Sequence, residues 1–239
     1  MKGVILAGGV GKRLNPLTDP LNKHLLPVYN KPMIEYAINT LVGGGIDNIL
    51  ILLNGLHPGL FLEMLEDGSR FDCEISYRFS KQLGGPGRTL MLAKKWIAHE
   101  DFFVILGDGI FFTQLPLMEI EAPHMFISPL NSFDDPHKYG QVKIENNLVK
   151  SIVWKPNNIF SNLIQTTCFK FPPDVFSRLD KIDKDIKGEI NITTITTQYV
   201  QEGKMKYTIL PEFSYIDCGT FEALHTASKK AKENFVARL

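Results

Sequence analysis

Residues Lys2–Met33 read KGVILAGGVGKRLNPLTDPLNKHLLPVYNKPM, and the first third of that stretch decides the fold. Gly3-Val4-Ile5-Leu6-Ala7 is a short, unbroken apolar run, the pattern of a strand buried on both faces. It breaks into Gly8-Gly9-Val10-Gly11 and then presents Lys12 and Arg13. Successive backbone N–H groups in a glycine-rich turn make a nest for an anion, and a nearby arginine can fork onto phosphate oxygens. A plain turn joining strand to loop accounts for Gly8-Gly9 equally well. Two familiar phosphate loops are excluded. No Gly-Lys-Ser/Thr follows at P-loop spacing, and Pro16 interrupts the helix that a dinucleotide fingerprint requires. No acidic residue closes the second strand either, since Leu53 leads into Asn54-Gly55. A nicotinamide-dependent oxidoreductase is disfavoured on those grounds. Lys23, in Asn22-Lys23-His24-Leu25-Leu26-Pro27, and Lys31 add cations to a segment otherwise apolar or proline-bound. Their convergence on a polyphosphate competes with a plainly solvated charged face.

Outward from this stretch, apolar runs of strand length alternate with helical spacing. Helices are predicted over Met33–Val42, Leu60–Leu65 and Arg88–Ile97, and strands over Asn48–Leu53, Cys73–Phe79 and Phe102–Leu106. The last of these strands ends at Gly107-Asp108-Gly109. Such alternation means a parallel sheet covered by helices. Ligands of these sheets bind beyond the carboxyl ends of the strands, so the glycine turn and Asp108 should share one cleft. From about residue 123 the texture changes. Short strands are predicted at Met125–Ser128, Gly140–Ile144, Val149–Val153 and Thr166–Phe171. Helices follow at Asp174–Asp180, Thr193–Gln201 and Phe221–Ala237. With no long linker, repeat or low-complexity segment, the expectation is one mixed α/β domain over residues 1–239.

The chain carries 26 Lys+Arg against 26 Asp+Glu, a formal net charge of zero. A broad nucleic-acid surface would show a basic excess, so no nucleic-acid partner is expected. Cys73, Cys168 and Cys218 are too few and scattered for a disulfide framework or a zinc site, which points to reduced thiols and the cytoplasm. No run is long enough to span a membrane, and the apolar run ending at Ala7 is too short for a signal peptide.

The pattern LAGGxGxRLxPLT, then Lys23, then LLPVxxKPMIxY resembles the N-terminal signature of the sugar-1-phosphate nucleotidyltransferases, above all their thymidylyltransferase branch. Further matches at Leu106-Gly107-Asp108, Tyr139-Gly140, Lys155-Pro156, Gly188-Glu189 and Asp217-Cys218-Gly219-Thr220 run in family order along nearly the whole chain. The resemblance implies a Rossmann-like mixed, mostly parallel sheet flanked by helices. It implies transfer of a nucleotidyl group from a nucleoside triphosphate to a sugar 1-phosphate, with pyrophosphate released. The default pair is dTTP and glucose 1-phosphate, the cofactor Mg²⁺, and the product a nucleotide sugar for polysaccharide assembly. Residues 1–122 would form the nucleotide-binding half and 123–239 the sugar-phosphate half.

Residue by residue, the resemblance makes Arg13, Lys23 and Lys155 catalytic. Leu6, Ala7, Gly8, Gly9, Gly11, Arg13, His24, Gly85 and Arg88 would line the nucleotide. Tyr139, Gly140, Trp154, Lys155, Thr166 and Glu189 would hold the sugar phosphate. Asp108 and Asp217 would bind the metal, two hard oxygen ligands completed by phosphates. Without the resemblance, both aspartates read as ordinary turn residues.

Departures from the pattern cluster at the substrates. His24 and Arg88 stand where the branch has glutamine, and a guanidinium donates only, whereas an amide also accepts. Cytosine, with acceptors at O2 and N3, therefore competes with thymine and uracil. Trp154 replaces a glutamate, Gln165-Thr166-Thr167 replaces Val-Thr-Gly, and Asn191 replaces a second glutamate, which suggests an altered sugar or a polyol phosphate. A non-catalytic paralogue that keeps the cleft is a further reading, opposed by retention of the charged set. After Asp217-Cys218-Gly219-Thr220 only Phe221–Leu239 remain, so a monomer or homodimer is expected rather than the family's tetramer, without its C-terminal regulation.

Overall fold

Ile5 and Ala7 face one way from the first strand and Val4 and Leu6 the other, and all four are at most 4% exposed. That two-sided burial is what the apolar run demanded. The computed structural model describes residues 1–9, 11–54, 57–80, 84–132, 135–185 and 188–236. Val10 of the glycine turn and residue 237 of the last predicted helix lie outside them.

The first half runs β1 (Lys2–Ala7), β2 (Pro27–Val28), β3 (Lys31–Pro32), α1 (Met33–Gly43), β4 (Asn48–Asn54), α2 (Pro58–Leu65) and β5 (Glu74–Ser80). It continues with α3 (Gly85–Leu90), α4 (Lys94–Ile97) and β6 (Phe102–Leu106). The helix expected over Arg88–Ile97 is broken into α3 and α4 by a tight turn at Met91–Ala93. Strands β6, β1, β4 and β5 lie side by side and parallel. Their carboxyl ends therefore meet on one edge, where Ala7, Asn54 and Leu106 open into the glycine turn and the Asp108 turn.

The second half runs β7 (Gly109–Phe111), β8 (His124–Pro129), β9 (Gly140–Glu145), β10 (Leu148–Trp154), β11 (Leu163–Phe171), α5 (Val175–Asp185) and α6 (Ile192–Gln201). It ends with β12 (Lys206–Ile209), β13 (Tyr215–Asp217) and α7 (Phe221–Val236). Strand β11 lies antiparallel beside β6 and carries β9 and β10 outward, so the sheet is continuous across both halves. Strands β8 and β12 attach to it through β11. The alternation predicted the parallel, helix-covered half, and the mixed, mostly parallel sheet is the fold class that the resemblance implied.

Two apolar layers enclose the sheet. Val4, Leu6, Leu52 and Val104 pack against Phe176, Leu179 and Ile195 of α5 and α6. Ile5, Ile51, Phe103 and Ile105 pack against Ile34, Ile38 and Leu41 of α1. The three cysteines are free thiols, Cys168 and Cys218 among them buried. Among the described residues no helix is long and apolar enough to cross a membrane.

His124 at the start of β8 is 5% exposed, and its Nε2 lies 2.9 Å from the Thr208 hydroxyl. Burial, reinforced by Lys206 and Lys170, lowers its pKa to about 4, so the folded imidazole is neutral. The unfolded chain takes up that proton below about pH 6.5, and the folded chain only near pH 4. His124 therefore stabilises less and less as pH falls through this window. Relative to His124→Gln, wild-type unfolding free energy should drop by about 1.4 kcal/mol per pH unit across it, measured by urea denaturation. Parallel pH profiles for the two proteins would show that the buried imidazole is charged.

Candidate active site

The glycine turn is shaped from below by Asn54, the last residue of β4. Its Oδ1 accepts from the Gly9 N–H at 2.9 Å, and its Nδ2 donates to Thr89 Oγ1 at 3.1 Å. A Cβ on Gly8 would stand 1.9 Å from that same Oδ1, so only glycine fits over it. Asn54 escaped the sequence reading, although its signal was present: a polar residue closing an otherwise apolar strand, 6% exposed in the fold. Leu6 and Ala7 are core side chains, and the Leu6 carbonyl accepts from Gly107 N–H at 3.0 Å, tying β1 to the Asp108 turn. Gly11, at φ 66°, packs against Thr18 and Lys23.

After Gly11 the chain makes one 3-10 turn, Lys12–Leu14, pinned by the fully buried Leu14. Arg13 is thereby left on the surface of the turn. A second 3-10 turn, Lys23–Leu25, is capped by the Asn22 side chain, which accepts from His24 N–H at 3.0 Å. This turn delivers Lys23 Nζ to 2.5 Å from Asp108 Oδ2, with both side chains largely buried.

The turn also sends His24 downward. At 1% exposure it lies under the cleft, its Nδ1 2.8 Å from Asn22 Oδ1, and a Cβ on Gly107 would come within 2.9 Å of its ring. Burial and the Lys23 charge lower its pKa to about 3, so it is a neutral floor residue beneath the Lys23–Asp108 pair. The expected place for it beside the nucleotide is corrected accordingly.

Asp217 arrives by a route the sequence hid. Strands β7 and β13, each of 3 residues, pair antiparallel with Asp217 opposite Gly109. Cys218 N–H then donates to the Asp108 carbonyl at 2.8 Å, and the Asp217 Oδ1 accepts from Gly219 N–H at 2.9 Å. Burial opposes ionisation of Asp108, but the Lys23 ammonium outweighs it and holds the carboxyl below its usual range. Asp217 is pushed the other way, by burial and by the Asp108 charge, with Lys23 and Arg13 only partly offsetting them. Two carboxylates thus share one close lysine. A further cation would relieve Asp217, and two oxygen donors leave most of an octahedral shell to phosphates and water, which suits Mg²⁺. Among the described residues no cluster of three or more His, Cys, Asp or Glu could hold a metal unaided.

A cleft of about 200 Å³ opens beside this pair, lined by Arg13, Asp135, Lys138, Tyr139, Asp217 and Gly219. The Tyr139 carbonyl accepts from Lys155 N–H at 3.0 Å, which sets Lys155 on the adjoining rim at φ 46°. Its Nζ lies 5.1 Å from the ring centre of Trp154, whose side chain is 45% exposed. Gly140 is beneath that ring, close to Thr193 and Gln165.

Thr166 is not on this rim. It is 2% exposed and its hydroxyl donates to the Phe126 carbonyl at 2.9 Å, so strand alternation turns it into the sheet. Its neighbour Thr167 is buried too and packs against the Gly109 backbone, with Oγ1 1.8 Å from where a Cβ on Gly109 would be. Gly85 and Arg88 face residues 188–190: Arg88 Nη1 donates to the Gly188 carbonyl at 2.5 Å, and the Glu189 Cβ is 3.1 Å from a Cβ built on Gly85. Arg13, Lys23, Asp108 and Asp217 are therefore brought together, Tyr139, Lys155 and Trp154 adjoin them, and His24 and Thr166 are withdrawn.

A nucleotidyl transferase family model matches residues 2–234. The glucose-1-phosphate thymidylyltransferase of Neisseria meningitidis is 32% identical over 234 residues, covering 95% of this chain and 81% of that protein. That of Mycolicibacterium smegmatis is 30% identical with the same coverage. A Bacillus anthracis structure assigned as a glucose-1-phosphate thymidylyltransferase, in complex with sucrose, superimposes with a TM-score of 0.90 at 31% identity, over 98% of this chain and 96% of that one. Apo UDP-glucose pyrophosphorylase shares the fold, with a TM-score of 0.82 at 23% identity over 100% of this chain and 99% of that one.

Gly219 offers a clean perturbation. A Cβ there would stand 2.5 Å from Arg13 Nη2 and 2.9 Å from Asp217 Oδ1. The guanidinium is the end of a flexible side chain, so it moves and the fold does not. Gly219→Ala should weaken binding of inorganic pyrophosphate about tenfold, the size of one lost charge-assisted hydrogen bond. The melting temperature should stay within about 2 °C, because the site lies outside the core. Calorimetric titration and thermal denaturation check both; unchanged pyrophosphate affinity would remove Arg13 from the phosphate site.

Proposed function

The chain belongs to the nucleotidyl transferase family, and on that premise we propose that it joins dTTP to glucose 1-phosphate with Mg²⁺ as its metal. Nucleotidyl transfer is the activity of that family; the base, the sugar and the metal are the proposed part. The observation that carries the reading is the convergence of Lys23, Asp108 and Asp217 from three separate parts of the chain at the mouth of the sheet.

A phosphate oxygen of the sugar 1-phosphate attacks the α-phosphorus in line. A new O–P bond forms as the bond to the bridging oxygen breaks, and pyrophosphate leaves with that electron pair. A phosphomonoester is largely dianionic at neutral pH, so the nucleophile needs no general base. The work left for the protein is positioning and charge neutralisation. Lys23 meets the α-phosphate, and Arg13 meets the β- and γ-phosphates and the departing pyrophosphate. Lys155 holds the acceptor phosphate, with Tyr139 fixing its backbone. Asp108 and Asp217 would hold Mg²⁺, which supplies positive charge where the transition state gathers negative charge.

A second reading keeps the chemistry and changes the partners, to CTP or UTP with another phosphorylated sugar or polyol. Half-exposed Trp154 beside Lys155 favours its change of acceptor, since an indole has no acceptor for the hydroxyls that a carboxylate would hold.

Pyrophosphate release, assayed for each nucleoside triphosphate against a panel of sugar 1-phosphates and polyol phosphates, tests both readings. The dTTP–glucose 1-phosphate pair should give the highest kcat/KM, and chelation of Mg²⁺ should abolish it. Asp108→Asn and Asp217→Asn should each lower kcat by about 100-fold or more with the fold retained by circular dichroism. Near wild-type rates in both variants would sink the metal assignment.

A further inference from the structure

The stretch Gly84-Gly85-Pro86-Gly87-Arg88 has the look of a ligand loop, yet the space its glycines leave is filled by protein. A Cβ on Gly85 would stand 2.7 Å from the Ile190 carbonyl oxygen, and one on Gly87 2.5 Å from Ile190 Cγ2. The backbones are laced together: Ile190 N–H donates to the Gly84 carbonyl at 2.9 Å, and Gly87 N–H to the Ile190 carbonyl at 2.7 Å. Gly84 serves the same joint from the other side. A Cβ there would overlap Arg88 Cδ at 2.4 Å, so the arginine stem folds back over Gly84 and its guanidinium donates to the Gly188 carbonyl at 2.5 Å.

Segment 188–191 is thus anchored at nearly every residue. The Gly188 carbonyl is held by Arg88, Ile190 is fully buried, and the Asn191 side chain caps α6 by accepting from Thr194 N–H at 3.2 Å. Glu189, between those anchors, is exposed. A flexible glutamate presented by fixed neighbours is how a fold pre-orders a hydrogen-bond acceptor for a ligand.

We propose that Arg88 is a positioning residue that fixes segment 188–190 so that Glu189 accepts from hydroxyls of the phosphorylated acceptor, and that it does not read the nucleotide base. This rests on the reading of the chain as a sugar-1-phosphate nucleotidyltransferase.

Steady-state pyrophosphate release, with the substrate pair that wild type turns over best, is the test. Arg88→Ala should raise KM for the sugar phosphate about tenfold and leave KM for the nucleotide and the order of base preference unchanged. Arg88→Lys, which keeps one donor for the Gly188 carbonyl, should recover part of the loss. Gly84→Ala, which retains the arginine but takes its space, should match Arg88→Ala. Glu189→Gln should have a similar effect and add little when combined with Arg88→Ala. A changed base preference or nucleotide KM with sugar KM unmoved would overturn the inference, as would additive effects of the Arg88 and Glu189 variants. A wild-type protein inert with every pair would overturn the proposed function and this inference with it.

Discussion

Two carboxylates held close together in a partly buried site repel each other, and the fold forces that closeness on Asp108 and Asp217. Strands β7 and β13 do it with one short antiparallel pair, closed by the Cys218 N–H on the Asp108 carbonyl. Much of the surrounding chain answers the resulting negative charge. The capped turn at Asn22 supplies Lys23 to Asp108, and the 3-10 turn after Gly11 brings Arg13 to the Asp217 side. An unbalanced buried pair costs stability, so the arrangement makes physical sense as a seat for further positive charge and for phosphates.

The parallel half was legible because burial on both faces leaves a strong mark. Strands β1, β4 and β6 are unbroken apolar runs, and each ends in glycine or a small polar group where the sheet edge opens. The antiparallel half was legible as short strands, but its pairing was not. A strand of 3 residues such as β13 has no periodicity to detect, and its partner β7 looked like the tail of the Gly107-Asp108-Gly109 turn. Hence periodicity left each aspartate an isolated turn residue; the family resemblance paired them, and the strand pair shows how they meet.

Side-chain direction was the other hidden quantity. The residue beside Lys23 is one step along a 3-10 turn, and one step carries His24 from the mouth of the cleft to the floor beneath it. Thr166 and Thr167 are likewise one step apart on β11, so one hydroxyl enters the sheet and the next faces the Gly109 turn. Family matching locates the segment; only the local geometry says which of two neighbours looks outward.

Glycine carries the same ambiguity in a sharper form. A glycine is demanded wherever a Cβ would collide, and the sequence does not say with what. At Gly8 the obstacle is the Asn54 amide, which also holds the Gly9 N–H, so the nest that seemed open to an anion is partly occupied by the protein. At Gly85 and Gly87 the obstacle is Ile190, and at Gly84 it is the stem of Arg88. In both loops the glycines first let one piece of backbone seat another, and the polar side chains around those seats, Lys23 near one and Glu189 near the other, are held by packed neighbours. Each of these glycines is thus demanded by packing within the protein, whatever ligand the loop meets.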